Sequence, residues 1–215
     1  MKLFQDRLDA GRRLAEALKA YRGRHPLILA IPRGAVAMGA EIARQLGGEL
    51  DVVLVKKLRA PGSPEFAVGA IDESGWTFVA GYAAQAGADE AYLARERAEE
   101  LELLRRRRAQ YTPARAPADP AGRVAIVIDD GIATGASMIA ALHAVRAKKP
   151  ARLVCAVPVA PPDSLAHIRP YADELVCLET PEDFMAVGQF YRHFEQVEDE
   201  GVVALLARHG QATPA

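Results

Sequence analysis

The sequence predicts an α/β fold in which a central parallel sheet is covered by helices on both faces. Several apolar runs show no polar alternation, as expected for strands buried on both faces, and they occupy residues 27–31, 51–55, 124–128 and 153–160. Most of these runs are followed by a segment with helical periodicity, which favours right-handed crossovers between parallel strands. AVGAID and WTFVA, separated by a turn at ESG, instead predict an antiparallel pair. The result is a three-layer domain with an added antiparallel pair.

The first half of the chain follows this alternation element by element. Leu8, Leu14 and Leu18 form an approximate apolar stripe that predicts a first helix over residues 4–21. The strand at 27–31 leads into PRGAVAMG, which opens a helix running to about Leu46. The strand at 51–55 leads into two lysines, and RAPGSPEF at 59–66 has the Pro, Gly and Ser content of a mobile loop. A long polar helix is predicted from about Asp89 to Gln110.

The second half repeats the alternation and ends in a tail of different composition. The predicted elements are a strand at 124–128, a helix at 136–147, a strand at 153–160, a short helix near 162–169 and a strand at 174–178. The tail from Pro181 to Arg208 carries several aromatic residues and ends in a helix. We therefore expect a core domain at 1–180, which includes a helical N-terminal segment at 1–24, and a C-terminal tail at 181–215, within one structural domain overall.

Composition excludes several classes of function. The chain has 215 residues and a formal net charge of −1, which does not favour nucleic acid or an anionic membrane surface. No apolar run approaches the roughly 20 residues that span a bilayer, and the N-terminus lacks the apolar core of a signal peptide. The two cysteines fit no zinc-binding pattern. We expect a cytoplasmic protein whose partners are small molecules.

The stretch VAIVIDDGIATGAS at 124–137 carries the clearest chemical signal. Asp129 and Asp130 follow an unbroken apolar strand, at the sheet edge where open α/β folds bind ligands. The glycine-bearing turn after them offers backbone N–H groups and the hydroxyls of Thr134 and Ser137 at the start of a helix, an arrangement that binds phosphate. A sugar phosphate fits both halves, with its hydroxyls on the carboxylates and its phosphate on the turn.

This stretch resembles the phosphoribosyl-pyrophosphate signature of type I phosphoribosyltransferases. IPRGAVAMG is similar to the pyrophosphate loop of that family, and VKKLRAPGSPEFAVGAI is similar to its second strand and flexible catalytic loop. The C-terminal tail resembles the variable hood of the family. The resemblance covers roughly residues 25 to 195 and implies the type I phosphoribosyltransferase fold, Mg²⁺ as cofactor and, by analogy, a homodimer.

The resemblance also implies roles for particular residues. Asp129 and Asp130 would bind the ribose 2- and 3-hydroxyls, partly through Mg²⁺. The residues of the 5-phosphate loop would be Gly131, Ile132, Ala133, Thr134, Gly135, Ala136 and Ser137. Those of the pyrophosphate loop would be Pro32, Arg33, Gly34 and Ala35, and in the family this loop often contains a non-proline cis peptide bond.

Three further predictions leave alternatives open. Lys57 is the better candidate for a second pyrophosphate contact and Lys56 is possible, because neighbouring strand residues point in opposite directions. Glu65, the only acid of the loop at 59–66, is either a proton acceptor or a solvated carboxylate. In the tail, Phe190 or Tyr191 is expected to stack on an acceptor base, unless these aromatics serve core or dimer packing.

The implied reaction is transfer of a phosphoribosyl group to a nitrogen nucleophile, with release of pyrophosphate. Family members that act on 6-oxopurines place an acid four positions after the first Asp of the pair, and Ala133 stands there in this chain. This departure makes a hypoxanthine or guanine acceptor less favoured and leaves the acceptor open among nucleobases and related heterocycles. The alternative is a non-catalytic regulatory protein that binds phosphoribosyl pyrophosphate or a nucleotide. The presence of Arg33, Lys57 and the loop favours an enzyme.

Overall fold

The computed structural model describes residues 3–113 and 116–209, apart from the side chains of Pro64, Glu65 and His209. Within these residues the chain forms six α-helices and eight strands. In chain order they are α1 (Arg7–Ala17), β1 (Leu27–Ala30), α2 (Ala35–Leu46), β2 (Glu49–Val52), β3 (Val55–Ala60), β4 (Ser63–Asp72), β5 (Thr77–Val79), α3 (Glu90–Tyr111), β6 (Val124–Ile128), α4 (Ala136–Ala147), β7 (Arg152–Val159), α5 (Pro162–Ile168), β8 (Glu174–Glu179) and α6 (Asp199–His209).

The main sheet is parallel and has the strand order β2-β1-β6-β7-β8. Its central strands are apolar on both faces because both faces are covered by helices. Ile28 and Ala30 of β1 pack into one core with α1 and α2, whereas Leu27 and Leu29 pack into a second core with α4. The predicted parallel α/β architecture with three layers is confirmed.

A second, antiparallel sheet has the order β3-β4-β5 and corrects two predicted boundaries. The run at 51–55 is not one strand, because β2 ends at Val52 and β3 begins at Val55 in the other sheet. The stretch at 59–66 is mostly strand, since only a short turn with Gly62 at a φ of 71° separates β3 from β4. The predicted pairing of AVGAID with WTFVA is confirmed as that of β4 with β5.

The long helix α3 packs against the antiparallel sheet through buried charges. Glu100 is 6% exposed and forms ion pairs with Lys56 and Arg59 of β3. Near the C-terminal end of the helix, the guanidinium of Arg108 donates to both carboxylate oxygens of Glu73, which follows β4. With these charges α3 is a polar helix, and no helix within the described ranges is long and apolar enough to cross a membrane.

The N-terminal segment lies beside part of the C-terminal tail. Phe4 and Tyr191 form a parallel β-bridge, and the backbone N–H groups of Arg192 and His193 donate to residues 4 and 5. The predicted first helix therefore starts later than expected, at Arg7, with the side chain of Asp6 as its N-cap. We call residues 3–7 and 187–197 together the terminal clasp.

Candidate active site

The candidate site lies where the neighbouring strands β1 and β6 end. Ala30 and Ile128 are paired in the sheet, and the N–H of Ile31 donates to the carbonyl of Ile128 at 3.0 Å. Beyond this point the two loops approach each other so closely that a Cβ atom on Gly34 would overlap Asp130 Oδ2. Two motifs separated by about a hundred residues of sequence therefore meet at one edge of the sheet, where open α/β folds bind ligands.

The paired acids are linked by a backbone-to-side-chain hydrogen bond. The N–H of Asp130 donates to Asp129 Oδ1 at 2.9 Å, and Asp130 Oδ2 accepts from Arg7 Nε at 2.8 Å. Within the described residues, Asp129 Oδ2 and Asp130 Oδ1 accept no hydrogen bond from the protein. Each carboxylate thus keeps one oxygen open, which is the arrangement that a diol requires.

Burial makes these carboxylates costly to ionise. It raises the pKa of Asp129 well above the usual 3.8, and the neighbouring charge of Asp130 raises it further. Burial also raises the pKa of Asp130, but the guanidinium of Arg7 opposes that rise. A buried pair of this kind is stabilised in its ionised form by cations or hydroxyl donors supplied by a ligand.

The 5-phosphate loop is anchored at two points and open between its anchors. The N–H of Ile132 donates to Val159, and the hydroxyl of Ser164 donates to the carbonyl of Ala133. Within the part of the chain described, the N–H groups of Ala133, Thr134 and Gly135 donate to no protein acceptor. Gly135 adopts a φ of 85° and directly precedes α4, so these free donors lie at a helix N-terminus that favours an anion.

The pyrophosphate loop connects β1 to α2. The peptide bond between Pro32 and Arg33 is cis, as in the family that the loop resembles. Ala35 begins α2, and the N–H of Val36 donates to the carbonyl of Arg33. The guanidinium of Arg33 is partly exposed, and its nearest ion pair is Glu198 at 3.6 Å, whose side chain is 70% exposed. Such an exposed pair is weak, so Arg33 is available to an anionic ligand.

The two lysines of β3 point in different directions. Lys56 Nζ lies 3.3 Å from Glu100 Oε2, on the side of the strand that faces α3. Lys57 is exposed, and its positive charge lowers the pKa of Asp129. Lys57 therefore lies on the side of the acids and Lys56 does not. The side chain of Glu65, the other candidate from this stretch, lies outside the described residues.

The two tail aromatics are packed rather than open. Phe190 is 4% exposed and Tyr191 is fully buried, with its hydroxyl donating to the backbone carbonyl of Asp130 at 2.6 Å. Their rings pack against Phe184 and Phe4. Neither ring offers a free face, so the expectation that one of them stacks on an acceptor base is replaced by the packing alternative.

Arg7 at the start of α1 is part of this site, although no local motif in the sequence selects it. Its Nε donates to Asp130, its Nη1 donates to the carbonyl of Glu195 at 2.7 Å, and its Cζ lies 3.8 Å from the ring centre of Phe194. An arginine near the N-terminus has no sequence-local relation to an acid 123 positions away. The contact becomes visible only when the terminal clasp is assembled.

Comparison with known proteins agrees with the fold and the motifs. A family model described as the phosphoribosyl transferase domain matches residues 3–195. A crystal structure of TT1426 from Thermus thermophilus is 47% identical, covers 97% of this chain and all of its own, and superposes with a TM-score of 0.82. Two Mycobacterium tuberculosis proteins, provisionally named phosphoribosyl transferases, are each 45% identical over 213 residues.

The five-stranded parallel sheet with its small antiparallel sheet is the type I phosphoribosyltransferase fold. The chain belongs to the phosphoribosyl transferase family. It spans about half the length of the two curated relatives, since the match covers 97% of this chain and 47% of each of them.

Proposed function

We propose that this protein transfers the 5-phosphoribosyl group of phosphoribosyl pyrophosphate to a nitrogen nucleophile, a nucleobase or related heterocycle. The observation that carries the proposal is the convergence of the Asp129–Asp130 pair, the free N–H groups of residues 133–135 and the loop at 32–35. A ribose diol, a 5-phosphate and a pyrophosphate require these three kinds of group together. The nucleophile forms a bond to C1 of the ribose, and the C1–O bond breaks with its electron pair leaving on pyrophosphate.

The residues of the chain contribute mainly by positioning and charge. The open oxygens of the paired acids accept hydrogen bonds from the ribose hydroxyls, and the 5-phosphate loop binds the terminal phosphate. The guanidinium of Arg33 and the amine of Lys57 balance negative charge that develops on the leaving pyrophosphate. Holding the reactants in this geometry is itself a large part of catalysis in a displacement of this kind.

The donor set fits Mg²⁺ bound together with substrate. Mg²⁺ prefers one or two carboxylates plus substrate phosphates and water to a cage built wholly of protein ligands. The described residues contain no group of three or more His, Cys, Asp or Glu side chains that would form such a cage, whereas Asp129 and Asp130 provide the carboxylates. When bound, Mg²⁺ would supply neutralisation of the pyrophosphate charge.

Replacing both acids tests the proposal most directly. We expect the wild-type protein to release pyrophosphate from phosphoribosyl pyrophosphate and Mg²⁺ with at least one heterocycle of a broad panel, above the background of hydrolysis. The variant Asp129→Asn/Asp130→Asn is expected to lose binding of phosphoribosyl pyrophosphate in calorimetry, because amides neither balance a cation nor accept as strongly. Its far-UV circular dichroism is expected to match that of the wild type.

The control variant is Glu99→Gln/Glu102→Gln, which removes two exposed acids from α3. It is expected to bind and react as the wild type does. Undiminished affinity in the Asp129/Asp130 variant would contradict the proposed site. Binding without turnover for every heterocycle would instead favour a regulatory protein that senses phosphoribosyl pyrophosphate.

A further inference from the structure

The terminal clasp carries one cation directly to the paired acids. Its two segments are joined by backbone hydrogen bonds of 2.9 Å. The N–H groups of Leu3 and Phe4 donate to the carbonyl of Phe190, and the N–H of Arg192 donates to the carbonyl of Phe4. Tyr191 and Arg7 project from the two halves of the clasp, one to the backbone carbonyl of Asp130 and the other to its carboxylate. Asp130 is therefore held by the clasp at both its backbone and its side chain.

Arg7 is fixed from several directions at once. The guanidinium bridges Asp130 and the carbonyl of Glu195, and its flat face covers the ring of Phe194. The side chain of Arg7 is only 13% exposed. Gly34 leaves the room for it, since a Cβ atom there would lie 2.9 Å from Arg7 Nε. Three segments that are remote from Arg7 in sequence thus shape one position for this guanidinium.

We propose that Arg7 is a positioning residue of the sugar-phosphate site, which acts by fixing the carboxylate of Asp130 for the ribose hydroxyls. This inference rests on the proposed function, because it assigns Arg7 to the diol half of that site. Arg7 engages Oδ2 and leaves Oδ1 open, so the orientation of the carboxylate is set before the sugar arrives. Preorganisation of this kind lowers the cost of ordering on binding.

The chemistry of the contact requires arginine. The planar guanidinium donates in two directions and stacks on an aromatic ring at the same time, which a lysine ammonium does not reproduce. Lysine would preserve the charge beside Asp130 but lose either the Glu195 contact or the stacking on Phe194. We therefore expect Arg7→Lys to retain part of the effect and Arg7→Met to retain none.

The test measures two ligands that differ in the diol. Ribose 5-phosphate carries the hydroxyls that Asp130 would bind, and inorganic pyrophosphate carries none. With Arg7→Met we expect the dissociation constant for ribose 5-phosphate to rise about tenfold or more, the scale of one charged hydrogen bond. The constant for pyrophosphate is expected to change by less than about threefold, as for loss of a nearby screened charge. Arg7→Lys is expected to fall between wild type and Arg7→Met for ribose 5-phosphate.

Arg12→Met is the matched control, since Arg12 lies on the same helix with 54% of its side chain exposed. It is expected to leave both constants unchanged. Phe194→Leu, which removes the ring under the guanidinium and leaves Asp130 and Arg7 in place, is expected to weaken ribose 5-phosphate in the same direction but less. Phe194→Leu tests the same contact if Arg7→Met does not fold.

Three results would overturn the inference. Wild-type affinity for ribose 5-phosphate in both Arg7→Met and Phe194→Leu would show that Asp130 does not depend on the contact. Tighter binding in Arg7→Met would show that Arg7 is a counterion that the sugar must displace. Equal loss of both ligands would show a general structural role. Failure of the wild-type protein itself to bind ribose 5-phosphate and phosphoribosyl pyrophosphate would instead overturn the proposed function.

Discussion

The two sides of the paired acids are built in different ways. On the clasp side, Asp130 is held by Arg7 and Tyr191, both buried or nearly so and both within hydrogen-bond distance. On the side of the antiparallel sheet, Asp129 faces the exposed Lys57, which acts on it only through its charge. One side is closed by specific contacts, whereas on the other side the lysine is open to solvent.

The clasp side fixes the geometry of the site before a ligand binds, and the side of the antiparallel sheet gives the ligand access. Groups that must keep one geometry are placed where packing fixes them, and groups that must meet a mobile anion are placed where solvent screens them until the ligand arrives. Asp130 and Asp129 are chemically alike, adjacent in sequence and both largely buried, yet Asp130 is in contact with a guanidinium, whereas Asp129 has the charge of the exposed Lys57. Substitutions on each side therefore test whether the two sides differ in energy as they do in geometry.

Gly34→Ala should have the largest effect, because it disturbs the closed side at its tightest point. The new Cβ atom would overlap Asp130 Oδ2 and lie 2.9 Å from Arg7 Nε, so the carboxylate and the guanidinium must both move. Displacement of a reacting group by about 1 Å can cost a hundredfold in rate. We expect a loss of at least about a hundredfold in kcat/KM for phosphoribosyl pyrophosphate.

Gly81→Ala provides the control for that substitution. No heavy atom lies within 4 Å of a Cβ atom built on Gly81. The variant is expected to keep the kinetic constants and the melting temperature of the wild type. Wild-type activity in Gly34→Ala would mean that the loops at 32–35 and 129–130 do not approach each other as closely as described.

The open side and the loops were predictable because their residues are consecutive. An apolar strand followed by Asp129 and Asp130 and a small-residue turn predicts a strand end, an acid pair and a candidate anion site in one continuous stretch. The parallel sheet followed in the same way from apolar runs without alternation. These features can be predicted from local sequence because each of them is formed by residues that are consecutive in the chain.

The closed side was not predictable because its contacts join distant segments. Arg7 and Asp130 are 123 positions apart. On the side of the antiparallel sheet, the pair of Lys56 and Glu100 was not predictable for the same reason, because it forms only where α3 packs against β3. Composition also does not distinguish a ring that stacks on a ligand from one that packs in a core, so the sequence leaves both roles open for Phe190 and Tyr191. The strand β3 was not predicted as a separate strand because half of its residues, VKKLRA, are polar. These polar residues are tolerated because the strand is only partly buried.

Asp129→Asn should stabilise the fold while it disrupts the site. Burial and the charge of Asp130 raise the pKa of Asp129, so in the absence of ligand the folded state binds this proton more tightly than the unfolded chain does. Stability is then lost as pH rises from the usual value of 3.8 through the raised pKa. Asparagine keeps the oxygen that accepts from the N–H of Asp130 and removes the charge.

We therefore expect Asp129→Asn to raise the free energy of unfolding by about 1–3 kcal/mol at neutral pH, the cost of an uncompensated buried group. The difference from the wild type should disappear as pH falls below 3.8, where the carboxyl becomes protonated in both states. Urea unfolding at several pH values measures it. A variant less stable than the wild type at neutral pH would show that the charge of Asp129 is compensated within the fold.

The smallest expected effect is a change in KM, and it is measured by comparing substitutions of Lys57 and Lys56. Lys57 is exposed on the side of the acids, so Lys57→Met should raise the KM for phosphoribosyl pyrophosphate about fivefold, the upper range for an exposed charge pair. Lys56 is engaged by the buried Glu100, so Lys56→Met should change that KM by less than about twofold and should instead lower the melting temperature, because it leaves Glu100 with one partner fewer. The two variants remove the same charge one residue apart, which makes each the control of the other. An equal rise in KM for both variants would mean that only the net charge near the site matters and that the direction of the two lysine side chains has no effect. That result would remove the distinction between the two sides of the site.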